Sequence, residues 1–498
     1  MALHLSKSKY LNGLQCPKLL WTQLNERELI PDPGPSQQYI FDTGHMVGEL
    51  AKQVFPGGIE VPMNFKDLSV TDRDTAELMN RPTADRIPIY EASFLIDNRY
   101  CRVDILVPIA DEEGEEPDRW DLVEVKSSTR VKDVNVKDVA FQAEVLGRGG
   151  VNLRHLYLMH INSGYILGEE FEVQKFFKLE DVTARAESVL TYIPRTVEKL
   201  LAVVRGADPD TPIGPRCTKP YPCPLIPHCW SSLPENNVTD LYYGGRRAFE
   251  MLDEGLFSIA TVPDERLSHQ QRIQKKTVIS GEAYIDVPHL SGWLDELVYP
   301  VYHLDFETLS MAMPPFIGAH PYQQVPFQFS LHIQDSPDAE PRHVEFLAQK
   351  EGDPRPELLA ALHELGDEGT VLAWNMGFEK GVLNDLAEVF PAKAEWLSAV
   401  TERMVDLMVP FRSFWYHHPA QKGRCSLKSV LPALTALSYD DMAIGDGNHA
   451  ARAYAEVIYE DVEPGRRAAI LNQLLEYCKL DTLAMVEILR VLNRAVSG

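Results

Sequence analysis

DLVEVKSS, residues 121–128, is the stretch on which the fold of the first half turns. Its VEVK core alternates apolar and polar residues, the period of a half-buried strand. Glu124 and Lys126, two apart, then share one face of that strand. The apolar run RYCRVDILVPI (99–109) has the same strand character and carries Asp104. Between the two runs, DEEGEEPDRWD (111–121) reads as an acidic turn containing glycine and proline. The pair is therefore expected to form a hairpin that sets Asp104 beside Glu124 and Lys126. Two carboxylates so placed can hold Mg²⁺ or Mn²⁺ through oxygen. The lysine can orient a water or steady charge on a phosphate. Glu91, in IYEASFL, and Gln142, on a following helix, extend the set.

Outward from this core, VKDVAFQAEVLGRGG (136–150) has helical spacing and stops at glycine, and RHLYLMHIN (154–162) reads as another strand. Residues 173–204 read as helical. A Pro-rich loop then leads into RCTKPYPCPLIPHCW (216–230), in which Cys217, Cys223 and Cys229 are evenly spaced. A tetrahedral site needs a fourth ligand, and Cys16, in QCPKLLW, shares with Cys223 a proline directly after it. Zinc sites usually close with short C-x2–4-C hairpins. The long spacing and four thiolates fit a [4Fe–4S] cluster better, with zinc, and His228 as a spare ligand, as the alternative. Cys101, Cys425 and Cys478 are scattered and read as core residues.

Cys16, then Asp104 with Glu124-x-Lys126, then Gln142, then three cysteines, resembles the PD-(D/E)XK nucleases of the RecB type with an iron–sulfur clasp. The nuclease of CRISPR spacer acquisition and the AddB subunit belong to that group. The resemblance spans residues 1–234 and implies a restriction-endonuclease-like domain that cleaves DNA with a divalent metal. Asp104 and Glu124 would be the metal ligands, Lys126 the catalytic lysine, and Cys16, Cys217, Cys223 and Cys229 the cluster ligands. The chain departs from the family pattern in three places. Gly48 stands where the family often has a metal-binding histidine, with His45 nearby. Leu146 replaces the tyrosine of Q-x-x-x-Y, and the cysteine spacing is wider.

The second half repeats the theme with different residues. HLDFETLS (303–310) puts Asp305 and Glu307 on one face of a strand, WNMGFEKGVL supplies Asn375 and Glu379, and YCKLD sets Tyr477 and Asp481 four apart on a helix. Four carboxylates brought together repel unless cations sit among them, and two divalent ions could activate water and stabilise a leaving oxygen. Tyr477 could orient or help deprotonate that water. The ordered set resembles the tyrosine-bearing DEDD exonucleases of the RNase H-like fold, over residues 299–498. That resemblance implies metal ligation by Asp305, Glu307, Glu379 and Asp481, although the family's second motif ends in Asp rather than Glu. Asp406, in MVDLMVP, reads as structural. The whole order also resembles a bacterial family in which a RecB-like half precedes a domain of unknown function, with QCPKLLW and HLDFET as its marks.

The expectation is thus an α/β chain of two domains, 1–234 and 299–498, joined by a helical connector over 235–298. Seven cysteines in 498 residues do not make a disulfide scaffold. The N-terminus lacks a signal-peptide pattern and no apolar run is long enough for a membrane span, so a cytoplasmic protein is expected. A net charge of −25 excludes a protein that coats nucleic acid by bulk electrostatics. A nuclease that meets DNA locally through metal ions remains, for defence or repair. Two alternatives stand beside it: an RNA-processing 3′–5′ exonuclease, and a non-catalytic iron–sulfur-stabilised scaffold that binds nucleic acid.

Overall fold

Strands rich in β-branched and aromatic residues build the first unit's sheet, and a computed structural model describes them within residues 3–109 and 119–497. Of the acidic turn expected at 111–121, residues 111–118 lie outside those described, and Arg119, Trp120 and Asp121 belong to a strand. The chain divides into two units: Met1–Ser231 with Ala312–Tyr322, and Ser232–Met311 with Gln323–Gly498. The stretch 235–298, expected as a connector, is part of the second unit. The short segment Ala312–Tyr322, expected in the second domain, packs with the first.

The first unit's strands are β1 (Leu5–Ser6), β2 (Ile59–Glu60), β3 (Ile89–Ile96), β4 (Arg99–Pro108), β5 (Arg119–Lys126), β6 (Asn152–Ile161) and β7 (Phe177–Asp181). They form one mixed sheet in the order β2-β3-β4-β5-β6-β7, with β1 pairing parallel to β4. β4 and β5 are antiparallel neighbours, as the hairpin reading requires, with Ile105 opposite Val123. β5 and β6 run parallel. A parallel pair needs a crossover, and helix Asp133–Arg148 supplies it, buried along most of its length. The stretch 173–204 is not wholly helical. Phe177–Asp181 pairs antiparallel with β6, Tyr157 opposite Asp181, so sheet pairing overrides the local helical pattern there.

Segment Ala312–Tyr322 joins this unit through backbone bonds between Gly318 N and Leu167 O (2.8 Å) and between Leu167 N and Ala319 O (3.0 Å). Buried Ala312 packs in the cluster of Val47, Ile105 and Val123. The Tyr322 hydroxyl donates to the Ser127 carbonyl, one residue beyond Lys126.

The second unit contains β8 (Tyr284–Ile285), β9 (Val301–Leu309), β10 (Val325–Gln334), β11 (Arg342–Leu347), β12 (Thr370–Ala373), β13 (Met404–Asp406) and β14 (Tyr416–His417). Five form a sheet in the order β11-β10-β9-β12-β13, and β8 pairs with β14. β9, β10 and β11 are antiparallel, whereas β12 is parallel to both β9 and β13. Every residue of β10 is buried, although from Phe327 on apolar and polar residues alternate, so Gln328, Ser330, His332 and Gln334 are polar groups held in the interior. Helix Pro464–Ser497 lies against β9 and β10, burying Leu474, Tyr477, Cys478 and Asp481. Among the described residues no helix is long and apolar enough to cross a membrane.

Candidate functional site

Pairing of β4 with β5 brings Asp104, Glu124 and Lys126 together. Asp104 Oδ2 accepts from Val125 N at 2.7 Å, pinning the aspartate to the neighbouring strand. Lys126 Nζ lies 2.5 Å from Glu124 Oε1 and 2.8 Å from Asp138 Oδ2. Gln142 Nε2 donates to Glu124 Oε2 at 2.7 Å and to Asp138 Oδ1 at 3.1 Å. A second ammonium, Lys7 Nζ, reaches both Glu124 oxygens at 2.9 and 3.1 Å.

Asp138 and Lys7 are additions to the sequence reading. Asp138 stands four residues before Gln142 on one helix face, a spacing that could have found it. Lys7 carries no such signal, because β1 brings it from the chain's start by pairing with β4.

Burial, and then the charge of Glu124, pushes Asp104 up to about 7. Burial would raise Glu124 too, but Lys126 and Lys7 hold it well below the usual carboxylate range. Burial alone would lower Lys126, yet Glu124 and Asp138 raise it, so it stays an ammonium.

Lys7, Asp104, Glu124 and Lys126 line a cleft of ≈240 Å³ with His45, Gly48, Glu49, Lys52 and Glu91. Glu91 has a left-handed backbone (φ 57°), an uncommon state for glutamate, and pairs with Arg102 at 2.9 Å. A Cβ built on Gly48 would meet nothing within 4 Å. At the place where the resembled family often carries a histidine, a side chain can therefore start without a clash at Cβ.

Helix Lys7–Gln15 runs from this site to the cysteines, ending at Cys16 as its cap. Cys16 and Cys223 are buried with Leu19 and Leu225, and Cys229 packs against them. Cys217 is tied in by the bond from Cys223 N to its carbonyl, 2.8 Å. Gln15 Nε2 donates to the carbonyls of Arg216 and Tyr221, joining the helix to the cysteine loop. Burial pushes Cys223 up to about 11 and raises Cys229 as well.

In the second unit β9 places Asp305 and Glu307 against Asp481 of the C-terminal helix. Among the described residues these three form the one group of potential metal ligands whose donor atoms all lie within 4.8 Å of one another. Among the described residues no three cysteines form such a group. Glu379, in the first turn of helix Gly377–Val389, stands farther off and acts on Asp305 electrostatically. Its Oε2 is buried with no hydrogen-bond partner.

Burial comes first in raising all four carboxylates, followed for Asp305 and Glu307 by the charge of Asp481. Glu307 and Glu379 rise to about 8 and Asp481 to about 6. Burial and the same carboxylates raise Tyr477 far above an ordinary phenol. It therefore stays protonated and can orient a water but not deprotonate one.

Two further neighbours escaped the sequence reading. The Tyr439 hydroxyl donates to Asp481 Oδ1 at 2.6 Å. The Lys428 ammonium lies 5.4 Å from the Tyr477 ring and 5.5 Å from the Tyr439 ring. Both residues precede the helix by a loop and a further helix, a separation that no local spacing reveals. Asp406 accepts from the amides of Asn375 and Met408 and pairs with Arg412. It braces the turn before Glu379, as its structural reading supposed. Cys101 and Cys478 are buried core residues, and Cys425 packs partly buried against the core, as expected for all three.

Residues 302–426 match the model of a family described as a domain of unknown function (DUF2779). The matched stretch contains Asp305, Glu307 and Glu379 but stops short of Tyr477 and Asp481. No curated protein matches the chain.

Proposed function

We propose that the chain is a metal-dependent nuclease that hydrolyses phosphodiester bonds in DNA at two centres, an endonuclease-like one in the first unit and a 3′–5′ exonuclease in the second. The observation that carries this reading is the convergence of Asp305 and Glu307 with Asp481, from elements more than 170 residues apart in sequence. Burying such a group without cations is costly, and its all-oxygen donors suit Mg²⁺ or Mn²⁺. The unpartnered oxygen of Glu379 fits a further ligand or a water held beside them. The strand order of the second unit, three antiparallel strands followed by two parallel ones, agrees with an RNase H-like fold. The mixed sheet carrying Asp104, Glu124 and Lys126 agrees with a PD-(D/E)XK domain.

Divalent ions at these carboxylates would supply Lewis-acid stabilisation of charge on the phosphate. The chain's own residues do the rest. Tyr477 orients the attacking water beside Asp481, and Tyr439 fixes the Asp481 carboxylate. Lys126, kept charged between Glu124 and Asp138, offers its ammonium to the developing oxyanion. Cys16, Cys217, Cys223 and Cys229 would hold a [4Fe–4S] cluster, whose sulfurs stand wider apart than those around a single zinc ion. Protein purified without air should be brown and contain iron and inorganic sulfide. A colourless protein with one stoichiometric zinc would overturn that assignment.

The functional test uses 5′-labelled single- and double-stranded DNA and RNA with Mn²⁺. Wild type, Lys126→Ala, Asp305→Ala and the double variant are compared on 3′-blocked and unblocked ends. Stepwise digestion of unblocked ends by Lys126→Ala, and its loss in the double variant, is expected. Equal digestion of blocked and unblocked ends would rule out the 3′-end mechanism, and wild-type rates in the double variant would overturn both centres.

A further inference from the structure

Two lysines reach Glu124, and they are held differently. Lys126 is fixed from both sides, by Glu124 and by Asp138. The two acids that Lys7 meets are instead Glu124 and Asp104, the candidate metal-ligand pair itself. The Lys7 ammonium takes both oxygens of Glu124, at 2.9 and 3.1 Å, and stands 3.7 Å from Asp104 Oδ1. It therefore sits between the two carboxylates that would share a divalent ion, and one such place admits one cation. Lys7 also borders the ≈240 Å³ cleft, with its side chain 24% exposed. A flexible four-carbon stem can turn its ammonium into that cleft while the helix stays in place.

On the nuclease reading above, we propose that Lys7 is the exchangeable occupant of the first divalent-cation site. Its ammonium holds Asp104 and Glu124 together until a divalent ion enters, and then faces the cleft, where a substrate phosphate would lie. The two lysines thus divide the work. Lys126 is anchored for catalysis, and Lys7 is a positioning residue that keeps the acids in register in the ion's absence. The exchange lowers the site's apparent metal affinity, because each entering ion must break the contacts of Lys7.

The test is Mn²⁺ titration, followed by the spin resonance of free Mn²⁺, on the full chain carrying Asp305→Asn and Asp481→Asn to silence the second centre. Three forms are compared: Lys7 intact, Lys7→Met and Lys7→Arg. Lys7→Met should bind at least about tenfold tighter, the size of one lost charge-assisted hydrogen bond. Lys7→Arg, which keeps the charge, should stay near the intact affinity. Equal or weaker binding by Lys7→Met would overturn the exchange and leave the nuclease reading standing. No binding by any of the three would overturn the metal reading of this centre and the exchange with it. A second measurement covers a poorly folding Lys7→Met. In the chain with Lys7 intact, lysines labelled by ¹³C reductive methylation should show the Lys7 signal moving towards a solvent-like position when Mg²⁺ is added, with Lys126 unmoved. A stationary Lys7 signal under saturating Mg²⁺ would overturn the proposal.

Discussion

The two carboxylate centres keep acid groups buried by opposite means. In the first unit, Glu124 is met by two ammonium groups and the Gln142 amide. Its charge is answered from within the protein. In the second unit, Asp305, Glu307 and Asp481 mainly face one another, with Lys428 acting on Glu307 and Asp481 through space. Its ammonium donates instead to the Gly445 carbonyl. These acids stay buried by holding protons. The difference teaches that the first centre is stable in itself, whereas the second is stable through what it binds, a proton or a cation.

The largest effect that can break this comparison is at Asp305. Asp305→Asn should lower 3′-end digestion about a thousandfold, because it removes a donor from the charge-stabilising group. The same change should raise the metal-free melting temperature at pH 8, since it removes an acid that holds its proton when folded and is free to ionise when unfolded. A drop in melting temperature would show that the second centre is not held in tension.

Next in size is the mirror experiment. Glu124→Gln leaves Lys7 and Lys126 without their shared partner, so it should cost about 3 kcal/mol in urea unfolding. The opposite signs at Asp305 and Glu124 are the sharpest form of the comparison. A neutral Glu124→Gln would mean that Asp104 and Asp138 suffice for both lysines.

The pH dependence follows from linkage. Glu307 and Glu379 titrate near 8 when folded, against 4.5 when free, and Asp481 near 6 against 3.8. Between about pH 4 and 8 the folded chain therefore holds more protons than the unfolded chain, and stability falls as pH rises. Asp104, raised to about 7, acts in the same direction. Glu124 acts oppositely, its contribution being present above its ordinary value and lost in acid. Melting temperatures in EDTA should decline from pH 5 to pH 8, and Mn²⁺ should restore them most at pH 8. A flat profile would contradict the raised values.

Smaller still, Gly48→His should tighten Mn²⁺ binding at the first centre about tenfold, because the open space at position 48 admits a third ligand. Last is Glu379→Asp, for which the 3′-end digestion rate should change by no more than about twofold. The shorter acid is the one the resembled family uses, and Glu379 lies outside the tight group of three.

Much of this was legible because strand alternation carries side-chain direction. VEVK and HLDFET each declare which residues share a face, and Tyr477 and Asp481 declare theirs by helical spacing. Lys7 was not legible, since its place depends on two residues of parallel pairing between β1 and β4. Tyr439 and Lys428 were hidden for a similar reason, as each reaches the acids from a loop or helix with no period of its own. The strand Phe177–Asp181 escaped notice because only its pairing with β6 makes it one. Substrate identity lies in contacts to other molecules, which no spacing of residues encodes.

The short excursion of Ala312–Tyr322 has a consequence for how such a chain can be inherited. The first unit is completed by eleven residues encoded some eighty codons beyond the end of its main segment. Exchange of residues 1–231 for another sequence, by recombination or by design, would leave the excursion behind without the Leu167 backbone and Ser127 carbonyl that receive it. The two halves cannot be shuffled like beads. A gene carrying one must carry the matching other, and natural variation at Leu167 and its surroundings should travel together with variation at residues 312–322.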